Sequence, residues 1–122
     1  DTYWTLRGGV DPVEAMKHFG TRIKKLHQKD LVKDSKNPVN MFDIVGKDTI
    51  IDQKLWVGTK CNDDFTEIGY GCMDIQSIID TANKIGSMDY IILEQDATKL
   101  NQLESVKRSM EGFHKFGGIV WE

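Results

Sequence analysis

The sequence predicts an α/β fold built from parallel strand–helix units, and three observations carry that expectation. Short apolar runs at 23–27 and 90–94 alternate with stretches whose apolar residues recur at helical spacing. The helical stretches open on capping residues and close on glycine, at Asp11 and Gly20 and again at Asp74 and Gly86. The run 90–94 carries Tyr90, Ile92 and Glu94 on one face and Ile91 and Leu93 on the other, both largely apolar, as a strand buried in a parallel sheet requires.

Taken in order, Asp1-Thr2-Tyr3-Trp4 reads as the tail of a strand that begins upstream. Asp11-Pro12-Val13-Glu14 then supplies an N-cap, proline at the first helical position and an acid in the first turn, so a helix runs from Pro12 to Phe19 with Val13, Met16 and Phe19 as its apolar stripe. Residues 23–27 are too few for a helix and read as a strand; side chains alternate, so His27 shares a face with Lys25 and Ile23. From 29 to about 70 no period emerges, and the segment is expected to be a functional lid or an insertion with small elements of its own, Ile50-Ile51 and Leu55-Trp56-Val57 being short strands or packing anchors. Asp74 caps a helix on Ile75, Ile78, Ile79, Ala82 and Ile85, stopped by Gly86. After the strand at 90–94, Asn101 and Glu104 form a capping box for a third helix, with Leu103, Val106, Met110, Phe113 and Phe116 as its expected core stripe before Gly117-Gly118. Strands alternating with helices in this way pair in parallel through crossovers.

With 122 residues, 39% hydrophobic and 29% charged, the chain is sized for one domain. A net charge of -3 with interspersed lysines gives no broad positive field, which disfavours nucleic acid and anionic membranes as partners and favours a small polar ligand. Cys61 and Cys72 lie in neither CxxC nor zinc-ribbon spacing, so free thiols are expected. No apolar run approaches the roughly 18 residues that span a bilayer, and no signal-peptide pattern opens the chain. A cytoplasmic location is the expectation.

In parallel α/β folds of the barrel type, chemistry is assembled at the C-terminal ends of the strands. His27 and Glu94 each end a short apolar run, and with Asp1 they suggest most of a divalent metal shell.

The chain resembles the sugar phosphate isomerases and epimerases of the xylose-isomerase-like TIM barrel group, within the superfamily that includes abasic-site endonucleases. The landmarks are Asp1-Thr-Tyr-Trp4, Gly8-Gly9-Val10-Asp11-Pro12, Arg22-Ile23 through His27-Gln-Lys-Asp30, Phe65-Thr-Glu-Ile-Gly69-Tyr-Gly71, Ile92-Leu-Glu94-Gln-Asp96 and Leu103-Glu-Ser-Val106, in family order over almost the whole chain. The resemblance implies the last three βα units of a (β/α)8 barrel, incomplete in this chain, so that residues 1–122 are the C-terminal part of one domain and the N-terminal part of the barrel is its partner. It further implies one divalent ion, Mn²⁺, Mg²⁺ or Co²⁺, held by Asp1, His27 and Glu94 and by a glutamate that has no position here. Glu94 would double as the acid/base group in an isomerase or epimerase acting on a ketose, polyol or keto-inositol through an enediolate, a reaction the fragment alone would not perform. Trp4, Lys29 and Asp30 would contact substrate, the indole as a wall against a sugar face.

Each residue also has a plainer role. Glu94 could be satisfied by a helix N-terminus or by Lys29, His27 by core hydrogen bonds, Lys29 and Asp30 by a loop salt bridge, and Trp4 by packing. Glu67 reads as a solvated loop acid, and Ala97 stands where relatives often carry histidine. Two other functions are weighed against the enzyme reading. A non-catalytic binding module that associates with itself would cover its open sheet edges; an abasic-site endonuclease would need more histidine and acidic ligands and a basic groove.

Overall fold

The computed structural model describes residues 1–46, 48–55 and 61–121. Its helices are α1 (Thr2–Arg7), α2 (Pro12–Phe19), α3 (Ile75–Ile85) and α4 (Gln102–Phe113), and its strands are β1 (Lys25–Gln28), β2 (Asp30–Leu31), β3 (Phe65–Thr66) and β4 (Tyr90–Leu93). β1 and β4 pair in parallel, with His27 opposite Ile92 and Gln28 opposite Leu93. β2 and β3 form a two-residue antiparallel pair. The chain is thus mixed α/β with a small parallel sheet.

Local capping explains where the helices lie. Asp11 accepts from Glu14 N at 2.9 Å, Asp74 from Ser77 N at 3.1 Å and Asn101 from Glu104 N at 2.9 Å, each satisfying an amide that has no partner inside its helix. Gly86 ends α3 in the left-handed region at φ 69°, which a side chain would resist. α2 and α3 pack against one face of the parallel sheet, where Met16, Leu26 and Ile78 form a buried cluster. A second cluster joins Ile68, Ile75, Ile79 and Phe113, and a third Tyr3, Leu31 and Phe65.

Several expectations change on folding. Residues 1–4 do not end a strand: Asp1 caps a helix, accepting from Trp4 N at 2.9 Å, and Thr2, Tyr3 and Arg7 bury that helix against the rest of the chain. The first strand starts at Lys25 because residues 20–22 make one 3₁₀ turn, in which Ile23 N donates to Gly20 O. β4 is less buried than expected. Ile91 and Leu93 pack on the helices, whereas Tyr90 and Ile92 are exposed, because among the described residues β4 has a single hydrogen-bonded neighbour and nothing covers that face.

The largest change concerns α4, whose expected core stripe holds only at its end, where Phe113 is buried and Phe116 packs on the same cluster, while its first three members face outward. Leu103 is 66% exposed, and Val106 and Met110 are exposed with it; the buried face is Ser105, Ser109, Gly112 and Phe113. Close approach is the cause. A Cβ on Gly112 would collide with the backbone carbonyl of Ile68, Ile68 N donates to Ser109 Oγ at 3.2 Å, and Ser105 Oγ donates to Glu67 Oε1 at 2.9 Å. Small and hydroxylated residues therefore let the helix lie directly on the 67–69 backbone.

The 29–70 segment has small elements of its own, namely β2, β3 and 3₁₀ turns at Met41–Ile44 and Asn62–Asp64. Ile50 and Ile51 are exposed and outside any strand. Of the expected Leu55-Trp56-Val57 element, Trp56 and Val57 lie outside the described residues. The segment is fastened from below: Arg7 meets Asp64 at 3.0 Å, with both side chains nearly fully buried, and Arg7 also donates to Pro38 O. Ser35 Oγ and Asn37 Nδ2 complete the shell of Asp64.

Candidate functional site

Strand alternation places two of the expected ligands side by side. In β1 the side chains of Leu26 and Gln28 are buried, which turns Lys25 and His27 to the opposite, open face. In β4 the face of Tyr90 and Ile92 is the open one, and Glu94, two residues on, shares it; the ladder continues to this point, with Glu94 N donating to Gln28 O at 3.1 Å. Since His27 sits opposite Ile92, its imidazole and the Glu94 carboxylate meet just beyond the strand ends.

The third side chain arrives from α1. Thr2 Oγ1 donates to the buried Gln28 Oε1 at 2.9 Å and lies 3.2 Å from His27 O, stapling the helix start to the end of β1. Asp1 uses Oδ1 to cap the helix and is left with Oδ2 facing the strands. One donor atom each from Asp1, His27 and Glu94 then lie within 4.8 Å of one another. His27 Nδ1 is 2.6 Å from Glu94 Oε2 and 3.9 Å from Asp1 Oδ2.

Lys29 enters this group rather than a substrate-facing loop. Its side chain is 1% exposed, and Nζ lies 2.5 Å from Asp1 Oδ2, 2.7 Å from Glu94 Oε2 and 3.6 Å from Asp96 Oδ1. Its hydrogen bond to Glu94 is the main reason that carboxyl titrates below the ordinary glutamate range, against the opposing effect of desolvation; the Lys29 and His27 charges add to the lowering. Glu94 itself stays 40% exposed.

Asp30 does a different job from the one expected. It is buried, and its carboxylate accepts four backbone amides: Leu31 N and Met73 N on Oδ1, Gly69 N and Gly71 N on Oδ2, at 2.9 to 3.1 Å. Burial raises its pKa and the four amides act against that rise. With both oxygens engaged and no exposure, Asp30 folds the 69–73 turn and is not available to a substrate. Gly71 belongs to the same device, since a Cβ there would strike the Asp30 carboxylate and Leu31 O. Trp4 stands half-buried in an aromatic cluster, edge-on to Tyr3 at 5.0 Å and to Phe65 at 5.8 Å.

Three contributors escaped the sequence reading. Glu67 is buried and not solvated; desolvation alone would raise its carboxyl, but hydrogen bonds from Thr98 Oγ1 and Ser105 Oγ, with help from Arg108, hold it low. Gln28 orients both α1 and the Lys29 carbonyl, the latter through a 2.6 Å bond. Asp96 adds a third carboxylate beside Lys29, and the signal for it was present in the two-residue spacing from Glu94.

No family model matches the chain, and a search of curated proteins finds no match. No helix among the described residues is long and apolar enough to cross a membrane.

Proposed function

We propose that this chain is the C-terminal part of a (β/α)8 barrel of the xylose-isomerase-like kind, carrying most of the centre of a divalent-metal-dependent sugar isomerase or epimerase. The observation that supports this reading is the convergence of Asp1, His27 and Glu94 from α1, β1 and β4 to within 4.8 Å at the strand ends. Two carboxylates and one imidazole suit a hard or borderline ion such as Mn²⁺, Mg²⁺ or Co²⁺. When bound, the ion supplies Lewis-acid polarisation of a substrate carbonyl.

The chain's own groups supply the rest. The Lys29 hydrogen bond favours the ionised form of Glu94, the form a proton acceptor needs, and Glu94 stands open enough to reach a carbon-bound proton beside that carbonyl. For isomerisation the same carboxylate returns the proton to the neighbouring carbon of the enediolate while the hydroxyl proton passes from one oxygen to the other; for epimerisation Glu94 keeps the proton it has taken and a second acid on the opposite face would give its own proton to the same carbon. Trp4, half-buried among aromatic rings, offers a rigid apolar surface near Asp1 for a ketose, polyol or keto-inositol.

Metal analysis of the complete barrel with and without Glu94→Gln tests the reading. Stoichiometric Mn²⁺ and ketose turnover should both fall at least tenfold in the variant; unchanged metal content and activity would remove the assignment. A second reading, a non-catalytic module that associates with itself, draws support from the exposed Leu103, Val106 and Met110 and from the uncovered face of β4. An oligomer by light scattering that retains no Mn²⁺ after dialysis selects it.

A further inference from the structure

We propose that Lys29 is the resident cation of the Asp1–His27–Glu94 centre, holding the carboxylates together when no ion is bound, and that a divalent ion enters in competition with its ammonium group. This rests on the metal reading above and adds to it a determinant of ion affinity.

The geometry carries the inference. Lys29 leaves β1 directly after Gln28, and the Gln28 side-chain amide donates to the Lys29 carbonyl at 2.6 Å, which holds the backbone from which the side chain departs. It is 1% exposed and ends among three carboxylates, those of Asp1, Glu94 and Asp96. The oxygens it bonds are Asp1 Oδ2 and Glu94 Oε2, and Asp1 Oδ1 is already the acceptor for Trp4 N, which leaves Oδ2 as the less engaged oxygen turned toward the strands. An ion held through Asp1 Oδ2 shares or takes the oxygen that Lys29 now occupies. Like charges at such separations repel strongly in a partly desolvated site.

Charge balance points the same way. Three carboxylate groups face one ammonium, an excess of negative charge that a divalent ion offsets. Without Lys29 the carboxylates would repel one another and the empty cluster would spread. The lysine thus has two opposed effects: it preassembles the centre and lowers its affinity for the ion, which keeps the ion exchangeable. A purely structural lysine has only the first effect, and its loss would weaken ion binding.

The sign of the affinity change decides between these. Mn²⁺ titrations of the 122-residue chain and of Lys29→Met, followed by electron paramagnetic resonance at fixed pH and salt with circular dichroism as the fold control, should show the variant binding about tenfold tighter or more. Equal or weaker binding by a folded Lys29→Met removes the assignment while leaving the metal reading intact if the unmodified chain binds Mn²⁺. Absence of binding by both proteins removes this inference, and the metal reading is then decided on the complete barrel; binding by the variant alone supports both. Should Lys29→Met fail to fold, acylation of Lys29 in the unmodified chain, read by peptide mass spectrometry, replaces it. Saturating Mn²⁺ should raise the acylation rate several-fold as the amine is displaced, and an unchanged or slower rate would overturn the proposal.

Discussion

At Gly112 the lack of one carbon sets how near two segments can come. A Cβ there would overlap the Ile68 carbonyl, and Gly69, at φ 82°, faces the same point from the other side. On an exposed helix face, glycine to alanine stabilises by about 1 kcal/mol. Here the helix would have to lift off the 67–69 backbone, losing the Ser109 and Ser105 hydrogen bonds, so Gly112→Ala is expected to cost about 1–3 kcal/mol or more. Urea denaturation gives the sign directly. Strand ends drew notice to His27 and Glu94, and the family resemblance joined Asp1 to them as candidates. The plainer expectation that Lys29 satisfies Glu94 holds at 2.7 Å, but that Asp1 shares the same ammonium depends on where the first helix packs.

Helix limits depend on contacts no more than four residues apart, and α2 and α3 show it. Asp11 and Asp74 each bond the amide three residues on, and Gly20 and Gly86 stop the helices where a left-handed or irregular residue is needed. The face a helix buries is another matter. In α4 the apolar stripe Leu103, Val106 and Met110 has a regular period, yet Ser105, Ser109 and Gly112 win the interior, because the partner is a bare backbone turn with amides to satisfy and little room for side chains. Leu103→Glu therefore belongs with surface substitutions and should change stability by about 0.5 kcal/mol or less. A core leucine would lose about 2–5 kcal/mol on truncation alone, so a chemical-denaturation midpoint separates the two cases.

Across the whole molecule a buried ion pair helps tie the long 29–70 segment to the body. Arg7 and Asp64 are 2% and 3% exposed at 3.0 Å; Arg7 also donates to Pro38 O, and Ser35 and Asn37 donate to Asp64. Removing one member leaves a buried charge without its counter-ion, so Arg7→Met should cost about 3–5 kcal/mol. Thermal unfolding measures that loss, and limited proteolysis should find cleavage moving into residues 32–64 as the segment loosens. The same pair helps position α1, whose first residue supplies a carboxylate to the centre.

By itself the sequence determined the capped helices α2 and α3, the start of α4 and the two runs that become β1 and β4, because short-range hydrogen bonding and residue period act within a few positions. Tertiary structure alone decided that residues 2–7 are helical against the body, that α4 turns its small residues inward, that Asp30 and Glu67 are buried organisers, and that Asp1 joins the Lys29–Glu94 pair. Each of those outcomes depends on partners distant along the chain, from Asp1 beside Lys29 to Gly112 against Ile68, and no local pattern encodes which surfaces will meet.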